Sequence, residues 1–235
     1  MGTLKNKKVI VLGGTSGIGL ATVEALVAAG ANVVAGGRSR ERIESAQACT
    51  GQAARFVAID VLDRDALRAL FAAEAPIDHL VSTATGGERA VGPFAAMDLD
   101  GFTGSFRKLW GYVNATRLVL EHLSPTGSIT VVSGSPAKKC KPGMAAISTV
   151  GCAVEGFARA VAAEIAPRRI NVVSPGIIDT PMFTGAREQL EAVARDTLAG
   201  RPGRPEEVAE AILLTLTNEF MTGAVVDVDG GAPLP

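Results

Sequence analysis

Tyrosine is almost missing from this chain. Tyr112 is the only one among 235 residues, so any chemistry that needs a phenol has a single candidate. Histidine is nearly as scarce. His79 and His122 are the only two, and neither has a partner in the sequence that suggests catalysis or a metal. Three cysteines, Cys49, Cys140 and Cys152, are odd in number and lack metal-ligand spacing. That argues against a disulfide framework and for free thiols in a reducing compartment. The formal net charge is only −1, which gives no reason to expect nucleic acid or an acidic membrane as a partner. The densest basic cluster, Lys138, Lys139 and Lys141, reads as a solvated loop in preference to a phosphate site. No apolar run reaches membrane-spanning length, and the opening residues MGTLKNKKVIVLGG enter a strand without a signal-peptide core. The expectation is a soluble, cytoplasmic protein.

Linkers, internal repeats and low-complexity runs are missing as well. Residues 1–235 therefore read as one domain, long enough for a large core. Short apolar runs occur at Lys8–Leu12, Asn32–Gly36, Arg55–Ile59, His79–Ser82, Ser128–Val132, Ile170–Ser174 and Ala224–Val228. Between them lie helical patterns near 17–29, 39–48, 63–73, 98–122, 143–166, 186–199 and 205–216. Strands this continuous in apolar residues are buried on both faces. The alternation predicts an α/β fold: one doubly wound Rossmann-type domain with a seven-stranded, mostly parallel sheet and helices on both faces. Ligands bind such sheets at the carboxyl ends of the strands, where the strand order reverses. The loops right after each strand are thus the ones to read for function.

After the first strand comes Gly13-Gly14-Thr15-Ser16-Gly17-Ile18-Gly19. Gly13, Gly17 and Gly19, spaced GxxxGxG, permit a tight turn and close approach of a pyrophosphate. The helix that follows offers unpaired N–H groups and a positive dipole end to that anion. A Gly-rich turn with no ligand is the simpler alternative, but the position between a strand and a helix favours phosphate binding. Thr15, Ser16 and Ile18 join the glycines as cofactor-binding candidates. The second strand ends in Gly37-Arg38-Ser39-Arg40. A site for NAD wants an acid there for the ribose 2′-OH, and none occurs before Glu41. Arg38, with Ser39 beside it, offers donors suited to a 2′-phosphate instead. The cofactor expected is NADP(H). Arg38 and Arg40 as plain surface residues opening a helix is the alternative.

These segments, and others along nearly the whole chain, resemble the short-chain dehydrogenase/reductase family. Asp60-Val61, after the third strand, matches the pair that contacts adenine in that family. Asn171-Val172-Val173-Ser174-Pro175-Gly176-Ile177-Ile178-Asp179-Thr180 matches its segment after the sixth strand. There the resemblance places Pro175, Gly176, Ile178 and Thr180 at the nicotinamide end. Ala84, in the segment Ser82-Thr83-Ala84-Thr85 after the fourth strand, is placed at the cofactor in the same way. RPGRPEEV at 201–208 and Asp229-Gly230-Gly231 also fit.

The family moves hydride between its cofactor and an alcohol or carbonyl. A Tyr exchanges the proton, and a Lys one helical turn later lowers the Tyr pKa, since an ammonium beside a phenol favours the phenolate. Aligned on Pro142-Gly143, this chain carries Ile147 at the Tyr position and Gly151 at the Lys position. Gly134 falls at the Ser position and Lys108 at the Asn position. A register slip of one brings in Ser135, Ser148 and Cys152 and still gives no Tyr–Lys pair. The member expected is atypical, lacking the Asn-Ser-Tyr-Lys tetrad.

Lys108 is the candidate catalytic residue. The resemblance points its side chain into the site, and a partly buried Lys can act as an acid or base near neutral pH. Tyr112 lies one turn on, a reversed form of the missing pair. Alternatively, Lys108 extends to solvent and Tyr112 packs between helices. Ser133, Ser135 and Ser148 are either carbonyl-binding hydroxyls or caps and turn residues. A lysine from 138–141 folds over the site or away from it. His122 is placed at a helix C-terminus. Met182-Phe183-Thr184-Gly185 corresponds to the region that covers the substrate. The helix near 143–166 combines an apolar stripe (Ile147, Val150, Val154, Phe157, Val161, Ile165) with small residues such as Gly151 and Gly156. By the resemblance it implies a homo-oligomer, a dimer or tetramer.

Two functions fit these residues. One is a divergent NADP-dependent oxidoreductase acting on a small molecule that the sequence does not identify. The other is a non-catalytic NADP(H)-binding sensor, or a partner subunit of an active relative.

Overall fold

The computed structural model describes residues 3–85, 89–183, 185, 187–195 and 197–232. Seven strands form one sheet: β1 (Lys8–Leu12), β2 (Asn32–Gly37), β3 (Ala54–Ala58), β4 (Ile77–Ser82), β5 (Leu123–Val132), β6 (Arg169–Pro175) and β7 (Val225–Val228). Their order is β3-β2-β1-β4-β5-β6-β7, and every pairing between them is parallel. The helices are α1 (Gly17–Ala28), α2 (Arg40–Thr50), α3 (Arg64–Glu74), α4 (Leu99–Ser105), α5 (Arg107–Val119), α6 (Ala145–Ile165), α7 (Arg187–Ala194) and α8 (Pro205–Thr217). The chain runs β1 to β3 one way and β4 to β7 the other, so the crevice opens at the carboxyl ends of β1 and β4.

The period of two in a strand explains the two cores. On β1, Ile10 and Leu12 face one side, where Phe71, Tyr112, Ile129 and Val154 bring in α3, α5, β5 and α6. Val9 and Val11 face the other, against Val23 and Leu26 of α1 and Ile212 and Leu216 of α8. Burying a side chain of this size is worth roughly 1.5–3 kcal/mol, so the alternation fixes which helices lie on which face.

The helical pattern at 98–122 is not one helix. It breaks at Phe106 into α4 and α5. Gly101 and Gly104 weaken the first half, and the ladder tightens where Phe106 N–H bonds the Thr103 carbonyl at 3.1 Å. Phe106 stacks on Phe102 across the junction. The break lies two residues before Lys108 and sets the start of α5. β5 begins at Leu123 instead of Ser128, with a shift of register between Ile77 and His79. One expectation on length also changes: α6, with 21 residues, is long and apolar enough to cross a membrane. In this fold it packs Val150, Val154 and Ala158 into the core.

Candidate active site

The Gly loop folds hard against the end of β4. Gly13 has φ +88°, and a Cβ there would lie 2.6 Å from Thr83 Oγ1 and 2.7 Å from the Ala84 nitrogen. A Cβ on Gly19 would lie 2.0 Å from the Gly13 carbonyl oxygen. Thr83 Oγ1 donates to the carbonyls of Leu12 (3.3 Å) and Gly13 (3.2 Å), which fastens the loop. Sequence reasoning did not single out Thr83. Its only signal was its place directly after an apolar strand.

Helix caps separate α1 from its neighbours. Ser39, Asp63 and Asp98 accept backbone N–H bonds at the starts of α2, α3 and α4. Ser16 makes no such bond at the start of α1. The Ser16 side chain therefore leaves the first-turn N–H groups, around Gly17, Ile18 and Gly19, to another acceptor. Thr15 is buried and pressed on β2, since a Cβ on Gly37 would meet its Oγ1 at 2.6 Å.

Tertiary folding brings the segment after β6 to this loop. A Cβ on Gly17 would lie 3.2 Å from Thr180 Cβ. Gly176 N–H bonds the Val228 carbonyl at 2.9 Å, and a Cβ on Gly176 would lie 2.6 Å from Asp229 Cα. Pro175 and Ile178 are buried, and Ile178 bridges to Gly203. Arg38 stands exposed at the end of β2. Ser39 accepts from Arg42 N–H at 3.3 Å, so its oxygen serves α2 first. Asp60 Oδ1 accepts from Leu62 N–H at 2.9 Å. Val61 is a core residue: its side chain packs at Gly111, and its carbonyl accepts from Asn114 Nδ2 at 3.3 Å. Ala84 is half-buried beside the Gly loop.

On the other side of the crevice, Lys108 projects from the first turn of α5. Its Nζ donates to the Ser133 carbonyl at 2.9 Å and lies 5.8 Å from the centre of the Tyr112 ring. Burial, and then the nearby Arg89 guanidinium, push its pKa down from 10.5 to about 7. Ser133 is itself held. Its N–H bonds the Val173 carbonyl at 2.9 Å, and its Oγ donates to buried Glu155 at 3.2 Å. The second Glu155 oxygen faces Arg159 at 3.9 Å. Glu155 and Arg89 are further residues the sequence reading missed. The signal for Glu155 was an acid one turn after Gly151 in an otherwise apolar helix.

Tyr112 is fully buried and its hydroxyl donates to the Val132 carbonyl at 3.1 Å. Burial raises its pKa, so it stays a neutral core phenol. Gly151 has no room for a side chain, because a Cβ there would lie 2.8 Å from Ala137 Cβ in the 3-10 turn Ser135–Ala137. Ile147 is half-buried on the same helix face. Ser148 Oγ is buried without a hydrogen-bond partner, as are Ser82 Oγ and Ser174 Oγ. Ser135 is a turn residue whose carbonyl accepts from Lys138 and Lys139 N–H. Two of the loop lysines have partners of their own: Lys138 pairs with Asp227, and Lys139 bonds the Ala232 carbonyl.

His79 sits inside β4, bonded to Ser128 Oγ at 2.8 Å. Burial lowers its pKa to about 4, so it is neutral near pH 7. His122 follows α5, and its carbonyl accepts from Ile77 N–H at 3.0 Å. Met182 is exposed, with its sulfur 2.9 Å from Arg89 Nη1, and Phe183 is half-buried. Thr184 lies outside the described residues. The three cysteines are free and exposed. No group of three His, Cys, Asp or Glu side chains among the described residues is arranged to hold a metal.

The crevice therefore has a tight Gly loop and the start of α1, uncapped by the Ser16 side chain, at one end and the half-buried Lys108 at the other. Residues 13–233 match the family described as enoyl-(acyl carrier protein) reductase. The chain is 35% identical to the cis-4-hydroxycyclohexanecarboxylate dehydrogenase of Sinomonas cyclohexanicum, covering 94% of each protein. It is 33% identical to the 3-oxoacyl-(acyl-carrier-protein) reductase FabG of Thermotoga maritima, covering 97% of this chain and 98% of that one. Among solved structures it is similar to an NADPH-bound short chain oxidoreductase from Pseudomonas aeruginosa PAO1 with an atypical catalytic center. That similarity has a TM-score of 0.91 at 30% identity and covers 98% of both chains.

Proposed function

The chain belongs to the short-chain dehydrogenase/reductase family, and on that premise we propose that it is an NADP(H)-dependent oxidoreductase working without a Tyr–Lys pair. The observation that carries the reading is Lys108, a half-buried ammonium held on the Ser133 carbonyl with a pKa near neutrality. The bound cofactor supplies or accepts the hydride. The residues present fit it: Gly13 and Gly19 leave no space for side chains, and Ser16 leaves the N-terminus of α1 uncapped by its side chain. Arg38 supplies the donors for a 2′-phosphate. The NADPH-bound relative supports the same choice.

Lys108 takes over proton transfer or polarises the substrate oxygen. As an ammonium with a pKa near 7 it gives up a proton far more readily than an ordinary lysine. Gly151 abutting Ala137 supports the view that the usual Lys has been replaced by packing. Losing a general acid altogether slows a reaction by about 10²–10⁴-fold, so a substrate that needs little proton donation is also compatible. The outward face of α6, with Thr149, Cys152, Gly156 and Ala160 exposed, favours assembly into a homo-oligomer.

The test is a calorimetric titration with NADPH and NADH. The expected result is NADPH binding about tenfold tighter or better, with the preference lost in Arg38→Ala. Binding of neither nucleotide by the folded protein overturns the reading. Binding of NADPH with no turnover across alcohols, ketones and activated alkenes, unchanged by Lys108→Met, favours the sensor.

A further inference from the structure

Taking this crevice as the substrate side of the oxidoreductase site, we propose that the substrate is a small organic anion whose charged group is held jointly by Arg89 and Lys108. The two cations lie close enough to repel each other, and neither is among the ion pairs of the described residues. Lys108 has a carbonyl and an aromatic face for company. Among the described residues, the partner of Arg89 Nη1 is the Met182 thioether, a weak acceptor.

Among the described residues, the carboxylates of Asp98 and Glu155 are already engaged. Asp98 accepts from Gly101 N–H at 2.8 Å and from Asp100 N–H at 3.3 Å, capping α4. Glu155 is bonded to Ser133 and faces Arg159. Arg89 is exposed and Lys108 half-buried, and each disfavours the other's charged form until an opposite charge joins them. A ligand is the natural source, and the Arg fork matches a carboxylate or phosphate.

The position of Arg89 is built into the fold. Ala90 N–H bonds Ser105 Oγ at 2.9 Å, and Gly92 N–H bonds the Gly143 carbonyl at 2.9 Å. The loop is thereby tied to α4 and to the entry of α6. Beside Arg89 opens a concavity of about 390 Å³, whose walls include Val91, Pro93 and Met97, with Asp98 also on its lining. It suits an apolar body attached to the anion. The cofactor phosphates are served elsewhere, by the Gly loop and Arg38 at the ends of β1 and β2.

The experiment titrates the full chain with benzoate, phenyl phosphate and neutral benzamide at about pH 6, where Lys108 is protonated. Each titration is run with and without saturating NADPH. At least one anion is expected to bind about tenfold tighter than benzamide, with the preference lost in Arg89→Gln and in Lys108→Met. The stronger anion tells carboxylate from phosphate. No preference for either anion, or a preference that survives both substitutions, overturns the proposal. Arg89→Gln is at an exposed position and decides alone if Lys108→Met does not fold. A protein that holds NADPH without anion preference keeps the cofactor reading. One that prefers the anion without holding NADPH keeps the cleft and loses the cofactor.

Discussion

The ammonium of Lys108 rests 2.9 Å from the carbonyl oxygen of Ser133, so a residue of α5 is tied to the carboxyl end of β5. This bond holds the only cation whose pKa burial brings near 7 among the described residues.

Lys108 gives a stability signature as well as a rate signature. Its folded pKa, about 7, lies below the unfolded value of 10.5. Between those values the unfolded chain binds more protons, so this group adds stability as pH rises through the window and loses it as pH falls toward 7. Thermal melts of wild type and Lys108→Met should show the advantage of Met shrinking from pH 7 to pH 10. A constant gap would mean an ordinary, solvated lysine. If Lys108 is the proton donor in the reducing direction, the rate should fall as pH rises past about 7.

Gly19→Ala puts a Cβ 2.0 Å from the Gly13 carbonyl oxygen. The loop has to shift, and the start of α1 with it. The expected outcome is a loss of NADPH affinity of at least about tenfold, with destabilisation of about 1–3 kcal/mol. Calorimetry and denaturant melts read the two effects separately.

His79 is expected to contribute to the acid limb of stability. Its folded pKa of about 4 lies below the unfolded 6.5. Stability from this group is present above pH 6.5 and is lost as pH falls toward 4. His79→Gln should flatten the melting profile over that interval while changing little at pH 8 beyond the lost Ser128 contact. An unchanged slope would place the acid sensitivity elsewhere.

Gly156 lies on the exposed face of α6, and a Cβ there would meet nothing within 4 Å. Gly156→Glu should leave the protomer folded, by circular dichroism, and convert the proposed oligomer to smaller species in sedimentation. An unchanged sedimentation coefficient would move the interface off this face.

The sheet was legible because parallel strands buried on both faces are written as short, almost wholly apolar runs. All seven were found, with the Gly loop after the first. The break at Phe106 was hidden because the helical pattern continues across it. Glu155 was hidden inside an apolar helix, and Arg89 in an irregular loop where no periodicity applies. The directions of Lys138 and Lys139 depend on Asp227 and the Ala232 carbonyl, about 90 residues away in sequence.

By itself the sequence determined the layers, the Gly cradle, the single tyrosine and the absence of a Tyr–Lys spacing. Those are local facts of residue type and period. Only the tertiary structure decided that Tyr112 is a core group, that Ala137 closes over Gly151, and that the Arg89 guanidinium comes near enough to Lys108 to help lower its pKa. Such relations join segments far apart in the chain, and burial and charge act through space. No spacing along the sequence records them.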